Sequence, residues 1–133
     1  AFVSGMDAGQ IYNSWPLMGS NYFPDDNKYL SLFKFSAFSD PSLVQFMHRN
    51  LAYIILIFYM ILIIKIYSNK LINLYFSINL VGLLLFAQII LGILTLIYGA
   101  QIYLASMHQV SSIFLVTSSV YFLYLNSNQQ PSS

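Results

Sequence analysis

Three long apolar runs occupy most of the chain after its first third, and they carry the fold prediction. The first is placed at residues 42–67, and its middle, from Tyr53 to Ile64, has no charge at all. The second runs from about Leu71 to Tyr98 and the third from about Tyr103 to Leu125. About 20 apolar residues cross a hydrocarbon core of about 30 Å. Each run is uniformly apolar, whereas a barrel strand is about 10 residues long and alternates strictly. Lipid offers the backbone no hydrogen-bond partner, so a span must satisfy its own amides, which a helix does internally. The pattern therefore predicts an all-α membrane protein: a water-facing region over 1–41, three transmembrane helices over 42–125, and a polar tail over 126–133 that frays. Gly5, Gly9, Pro16, Gly19, Pro24 and Pro41 break residues 5–41 into a loop with short structured pieces. Within it, the stretch from Tyr29 to Phe35 is too short to span. It reads either as an interfacial helix with Tyr, Phe and Lys at headgroup level or as a loop segment packed on the membrane domain. Residues 1–5 look like the tail of an earlier apolar helix, so the chain is expected to be a fragment or a processed product.

Composition agrees. Of 133 residues, 58% are hydrophobic, 17% aromatic and 7% charged, against about 25% charged in a soluble domain. A surface so poor in charge excludes an ordinary soluble domain. A net charge of +1 provides no basic stripe, and nucleic acid is excluded as a partner because its phosphates demand many Lys and Arg. The absence of cysteine removes disulfides, zinc-thiolate sites and iron–sulfur clusters. There is no signal or transit peptide pattern.

The few charges orient the helices. Lys65 and Lys70 flank the connection between the first two spans, and the connection after the second, Gly99 to Ile102, has none. The positive-inside rule places the lysine loop on the cytoplasmic or matrix side and the loop before the first span outside. His48 is then about six residues into the first helix, and His108 about five into the third, both counted from the outer end. At 1.5 Å per residue they lie roughly 7–9 Å deep, at matching levels on two helices.

An ionisable group at membrane depth is costly and usually functional. Two imidazoles at one depth can ligate a single metal from opposite sides. With no Cys and no acidic residue in any span, a zinc or di-iron site lacks ligands, and a bis-histidine haem fits better because the porphyrin supplies the other four. The alternative for each histidine alone is a hydrogen bond to a neighbouring helix. Leu104, Ala105, Ser111 and Ser112 flank His108 by one turn, and Leu51 and Ala52 follow His48. Gln88, Gly92, Thr95 and Gly99 form a narrow small-and-polar stripe on the middle helix, which suits a porphyrin or plain helix packing. Arg49 is about 100° around the helix from His48, so it reaches the rim of a haem, where it can pair a propionate, or it snorkels.

Four segments resemble one family. They are Gly5-Met6-Asp7-Ala8-Gly9-Gln10 through Trp15-Pro16-Leu17-Met18; Val44-Gln45-Phe46-Met47-His48-Arg49-Asn50-Leu51; Gln88-Ile89-Ile90-Leu91-Gly92 through Thr95; and Leu104-Ala105-Ser106-Met107-His108-Gln109. In order and spacing they resemble haem A synthase over essentially the whole chain. The resemblance implies an eight-helix protein of two similar four-helix halves, of which this chain is most of the C-terminal one, beginning at the end of the fifth helix. It implies that His48 and His108 are the axial pair of a cofactor haem b, and that the whole protein oxidises a methyl group of haem O to the formyl group of haem A for cytochrome oxidase. It further implies the mitochondrial inner membrane or a bacterial plasma membrane. The implied partners are membrane lipid, the N-terminal half or a partner chain supplying it, haem O as substrate, haem O synthase and an electron donor. The isolated chain is expected to be inactive. Departures from the family pattern are Met47, where an Asp is usual before the histidine, the lack of a proline between Gly99 and Tyr103, and the lack of an outer-loop cysteine pair. Two rivals remain: a b-type cytochrome that only carries electrons, and a cofactor-free structural or assembly subunit.

Overall fold

The structure is a computed structural model and describes residues 7–128. The expected helix tail at 1–5 and most of the polar tail lie outside the described residues. Helices α1 (Pro41–Ser68), α2 (Tyr75–Ile97) and α3 (Ile102–Ser127) account for the three apolar runs, and among the described residues there is no strand, only an isolated bridge. All three are long and apolar enough to cross a membrane, which makes this an integral membrane protein of the helical class. The third outlasts its apolar pattern by two residues, so Asn126 and Ser127 are still helical.

Local chemistry sets the helix ends. Asp40 is the N-cap of α1, its carboxylate accepting the Leu43 amide at 3.1 Å, and Pro41 fills the first helical position, where no amide hydrogen is needed. The far end closes with two nested bonds: Leu71 N to Ile66 O at 3.1 Å and Lys70 N to Tyr67 O at 3.1 Å. Lys70 takes the left-handed position at φ 53°. The same closure ends α2, with Ala100 N on Thr95 O at 2.7 Å, Gly99 N on Leu96 O at 3.1 Å, and Gly99 in the left-handed position at φ 66°. Gly99 therefore serves the turn rather than the stripe it shares with Gln88, Gly92 and Thr95.

The lysine-bearing end of the bundle is its packed end. Ile66, Leu74, Ile78 and Phe122 bring all three helices and the turn before α2 into one core. Helices α2 and α3 run closely together, while α1 touches them less. In the most apolar window of each helix only 6%, 6% and 11% is buried, so most of the bundle surface is left for lipid or further helices.

At the opposite end, residues 7–40 fold over the helix termini. Short 3-10 turns span Ala8–Gln10, Tyr29–Phe33 and Phe35–Ser39. Gly19, at φ 84°, makes the tight turn that pairs Met18 N with Asn21 O at 2.7 Å and buries Met18 completely. Phe23, Ala37 and Leu43 form a small second core, joined by Leu32, Phe46 and Met47. The loop is thus an ordered cap on the bundle, carried by its own apolar contacts.

Candidate functional site

His48 stands two turns into α1 and His108 two turns into α3, and the bundle brings their rings together with centroids 6.4 Å apart and planes at 82°. Two imidazoles bound on opposite sides of one metal, at about 2 Å per metal–nitrogen bond with ring centres roughly 1 Å further out, have centroids about 6 Å apart. The His48 ring is exposed and makes no hydrogen bond among the described residues. The His108 ring is half-buried, and its Nδ1 is buried without a partner.

Helix α2 supplies the wall that allows this approach. At Gly92 an added Cβ would lie 3.0 Å from His108 Cε1, so the ring packs directly on the helix backbone. One turn earlier, Gln88 donates through Nε2 to the His108 carbonyl at 3.1 Å and lies 3.4 Å from His108 Nε2. Its Oε1 accepts from Ser111, whose hydroxyl also reaches the His108 carbonyl at 3.1 Å. Gln88 and Ser111 thus hold the turn of α3 that carries His108. Thr95 turns its hydroxyl back to Leu91 O at 2.7 Å, which leaves its methyl to the site.

Between the rings and the cap lies a largely apolar cavity of about 190 Å³, walled by His48, Ala52, Gln88, Gly92, Ile93 and His108 among others, with Gly9 and Trp15 of the loop at its edge. Of the small-and-polar stripe, Gln88, Gly92 and Thr95 line it and Gly99 does not.

Arg49 also lines the cavity, and three of its contacts go to the loop. Nη1 donates to Ser14 O at 2.9 Å and Leu17 O at 3.2 Å, and Nη2 to Tyr12 O at 3.1 Å. Its Nε is buried and has no partner. One turn before it, Gln45 Nε2 donates to the same Tyr12 carbonyl at 3.1 Å, leaving its Oε1 buried and unpaired. Because a carbonyl only accepts, this contact fixes which way the Gln45 amide points. Trp15 Nε1 donates to the Tyr53 hydroxyl at 3.1 Å, a third tie between loop and α1. The loop latch formed by Gln45, Arg49 and Tyr53 was not anticipated from the sequence; the only hint is that 45, 49 and 53 recur at helical spacing.

The donor set limits what can bind. Among the described residues no three His, Cys, Asp or Glu side chains gather around one point. A metal held here must bring its other ligands with it. A haem, whose porphyrin brings four ligands of its own, would meet that requirement.

Fold and site together define a helical membrane protein with a histidine pair at one end of its bundle, under an ordered loop. The family model for cytochrome oxidase assembly protein (COX15-CtaA) matches residues 1–120, and the chain belongs to that family. Among curated proteins, "Heme A synthase" of Pelagibacter ubique is 44% identical over 128 residues, covering 96% of this chain and 38% of its own length. The "Heme A synthase" of Wolbachia pipientis is 41% identical over 123 residues, 92% of this chain and 33% of the relative. That of Rickettsia prowazekii is 37% identical over 132 residues, 96% and 38%. The chain therefore spans about a third of the length of the curated relatives it matches. No solved structure matches the chain.

Proposed function

We propose that this chain is the haem-binding C-terminal part of a haem A synthase, in which His48 and His108 are the axial ligands of one cofactor haem b. The observation that carries the reading is the 6.4 Å separation of the two rings, both of which line the cavity. The names of the relatives support the activity, oxidation of a methyl group of haem O to the formyl group of haem A for cytochrome oxidase. A bound haem b supplies one-electron redox chemistry, and the protein supplies its ligation, burial and surroundings. His48 and His108 hold the iron, Gly92 gives the space in which the His108 ring lies, and Gln88 and Ser111 fix that ring's backbone. Arg49 lines the site, where its charge would pair with a haem propionate, while its two terminal nitrogens hold the loop.

Three spans do not complete a four-helix half. The reading therefore includes a further helix and an N-terminal catalytic half, supplied by the rest of a longer protein or by a partner chain. Haem O is the substrate, haem O synthase and an electron donor are the expected associates, and the histidine end faces the periplasm or intermembrane space. The membrane is a bacterial plasma membrane or the mitochondrial inner membrane.

The test is optical. The complete protein, purified in detergent, should show a six-coordinate low-spin haem b spectrum. His48→Ala and His108→Ala should each abolish it or convert it to a high-spin form. An unchanged low-spin spectrum in both variants would place the ligands elsewhere, and pigment-free protein would favour a cofactor-free assembly subunit.

A further inference from the structure

Two consecutive 3-10 turns, Tyr29–Phe33 and Phe35–Ser39, divide their side chains sharply. Leu32 and Ala37 point into the cap and join the core of Phe23 and Leu43. Leu30, Phe33, Phe35 and Phe38 point away, exposed by 76%, 86%, 95% and 54%, and Tyr29 beside them by 70%. An ordered loop rarely offers this much contiguous apolar surface to water.

Three observations say what covers it. The first is position. Helix α1 has 28 residues, so it is about 42 Å long, close to the thickness of a bilayer with its headgroups. Its start at Pro41 therefore lies at headgroup level. The turn containing Phe35 and Phe38 leads directly into that start. The second is chemistry: the outward side chains are mostly aromatic, the class enriched at membrane–water interfaces. The third is charge. Lys28 and Lys34 flank the patch, and residues 27–39 contain no acid. The nearest carboxylates are engaged by hydrogen bonds within the cap: Asp25 accepts the Ser20 amide at 2.8 Å, Asp26 the Ser42 hydroxyl at 2.6 Å, and Asp40 caps α1.

We propose that residues 28–39 are an interfacial membrane anchor. Leu30, Phe33, Phe35 and Phe38 insert into the headgroup–acyl boundary of the leaflet at the histidine end, and Lys28 and Lys34 lie among anionic headgroups. The anchor fixes the cap against the lipid surface through contacts independent of Arg49 and the haem pair, so it stands whether or not a haem is bound.

The chain has no cysteine, so single Phe33→Cys and Phe35→Cys substitutions can carry a nitroxide in the complete protein, with native cysteines elsewhere replaced, in nanodiscs of mixed neutral and anionic lipid. Collision rates with oxygen and with a neutral nickel chelate report depth, and Ile57→Cys in the middle of α1 serves as the lipid reference. The expected result is oxygen collision several-fold above nickel collision at both sites, with a depth shallower than at Ile57. Nickel collision exceeding oxygen would put the patch in water. Low collision with both reagents would mean that protein covers it, as when a partner helix docks there. Either result overturns the proposal. Wild-type-like yield and thermal stability of the labelled proteins would show that the cap is intact in each variant.

Discussion

The two ends of the bundle are built on opposite principles. At the lysine end, Ile66, Leu74, Ile78 and Phe122 interlock and Ile78 is fully buried. At the histidine end, the same helices separate around a cavity, and two imidazoles take the place of a core. Lipid tails are as apolar as Leu, so helix association in a membrane rests on close packing rather than on expulsion of water. One end can therefore be left open because the other end is closed. The open end is then roofed by a polar device, half-exposed Arg49 on three loop carbonyls.

The comparison breaks most visibly at Ile78. Truncating a buried Ile to Ala costs about 2–5 kcal/mol in soluble cores, part of it a cavity term that survives in lipid. Ile78→Ala is expected to cost about 2 kcal/mol and to lower the Tm of the detergent-solubilised protein. Ile89→Ala, at the cavity wall, deletes fewer contacts and should cost under about 1 kcal/mol on the same reasoning. Equal Tm losses would mean that the histidine end is packed as tightly as the lysine end.

A pair of glycines on α2 sharpens the same contrast. Gly82 faces Tyr59, whose hydroxyl occupies the place of a Cβ, and Gly92 faces His108. Overpacking costs about 1–3 kcal/mol at either position, but the readouts differ. Gly92→Val should displace the His108 ring and weaken haem retention by more than about tenfold, equal to about 1.4 kcal/mol. Gly82→Val should lower thermal stability and leave the haem spectrum unchanged. Spectral loss in Gly82→Val, or a native spectrum in Gly92→Val, would remove the division between a packing glycine and a site glycine.

Much of this was legible in advance. Uniform apolar runs gave three helices within a few residues, because lipid admits so few alternatives for a backbone. The two lysines implied a common depth for His48 and His108, and the folded chain brings their rings together. Less was readable at Arg49: spacing set it about 100° around the helix from His48, yet its partners are backbone carbonyls at 12, 14 and 17, which no side-chain pattern reveals. The stripe was only partly right, since Gly99 belongs to a helix-ending turn defined by its φ of 66°. For residues 29–35 the sequence admitted an interfacial or a packed segment, and the structure has both faces, with Leu32 inward and Phe33 outward.

The latch offers a smaller effect. A lysine keeps the charge of Arg49 but has no planar fork to reach three carbonyls. Charge-assisted hydrogen bonds contribute about 1.5–3 kcal/mol when the partners are buried, and these are half-exposed, so Arg49→Lys should cost about 1 kcal/mol locally. Hydrogen exchange should accelerate at residues 12–17 and not at residues 66–78. Acceleration at both would mean that the two ends unfold as one unit.

The smallest effect is a pH dependence confined to the cap. Burial alone raises the Asp26 carboxyl, but hydrogen bonds from Ser42, Tyr12 and Asn27 outweigh it and hold Asp26 below the ordinary carboxylate range. Burial, and then the hydrogen bond to Asp26, raise the Tyr12 hydroxyl above its usual value. A depressed carboxyl stabilises the fold above its unfolded pKa of about 3.9 and loses that contribution as pH falls through the lower folded value. A raised phenol stabilises below its unfolded pKa of about 10 and loses that contribution as pH rises through the higher folded value. The Tyr12–Asp26 tie should therefore hold across the middle of the pH range and loosen at both extremes. Because Asp26 is exposed, its share is a few tenths of a kcal/mol at most. Trp15, the chain's single tryptophan, reports it: in a protein whose other tryptophans are replaced, its emission should shift below about pH 4, and Asp26→Asn should flatten that acid limb. An acid shift that survives in Asp26→Asn would assign it to Asp25, whose carboxyl the Ser20 amide, the Asn21 side chain and the Ser20 hydroxyl also hold low, or to another acid of the cap.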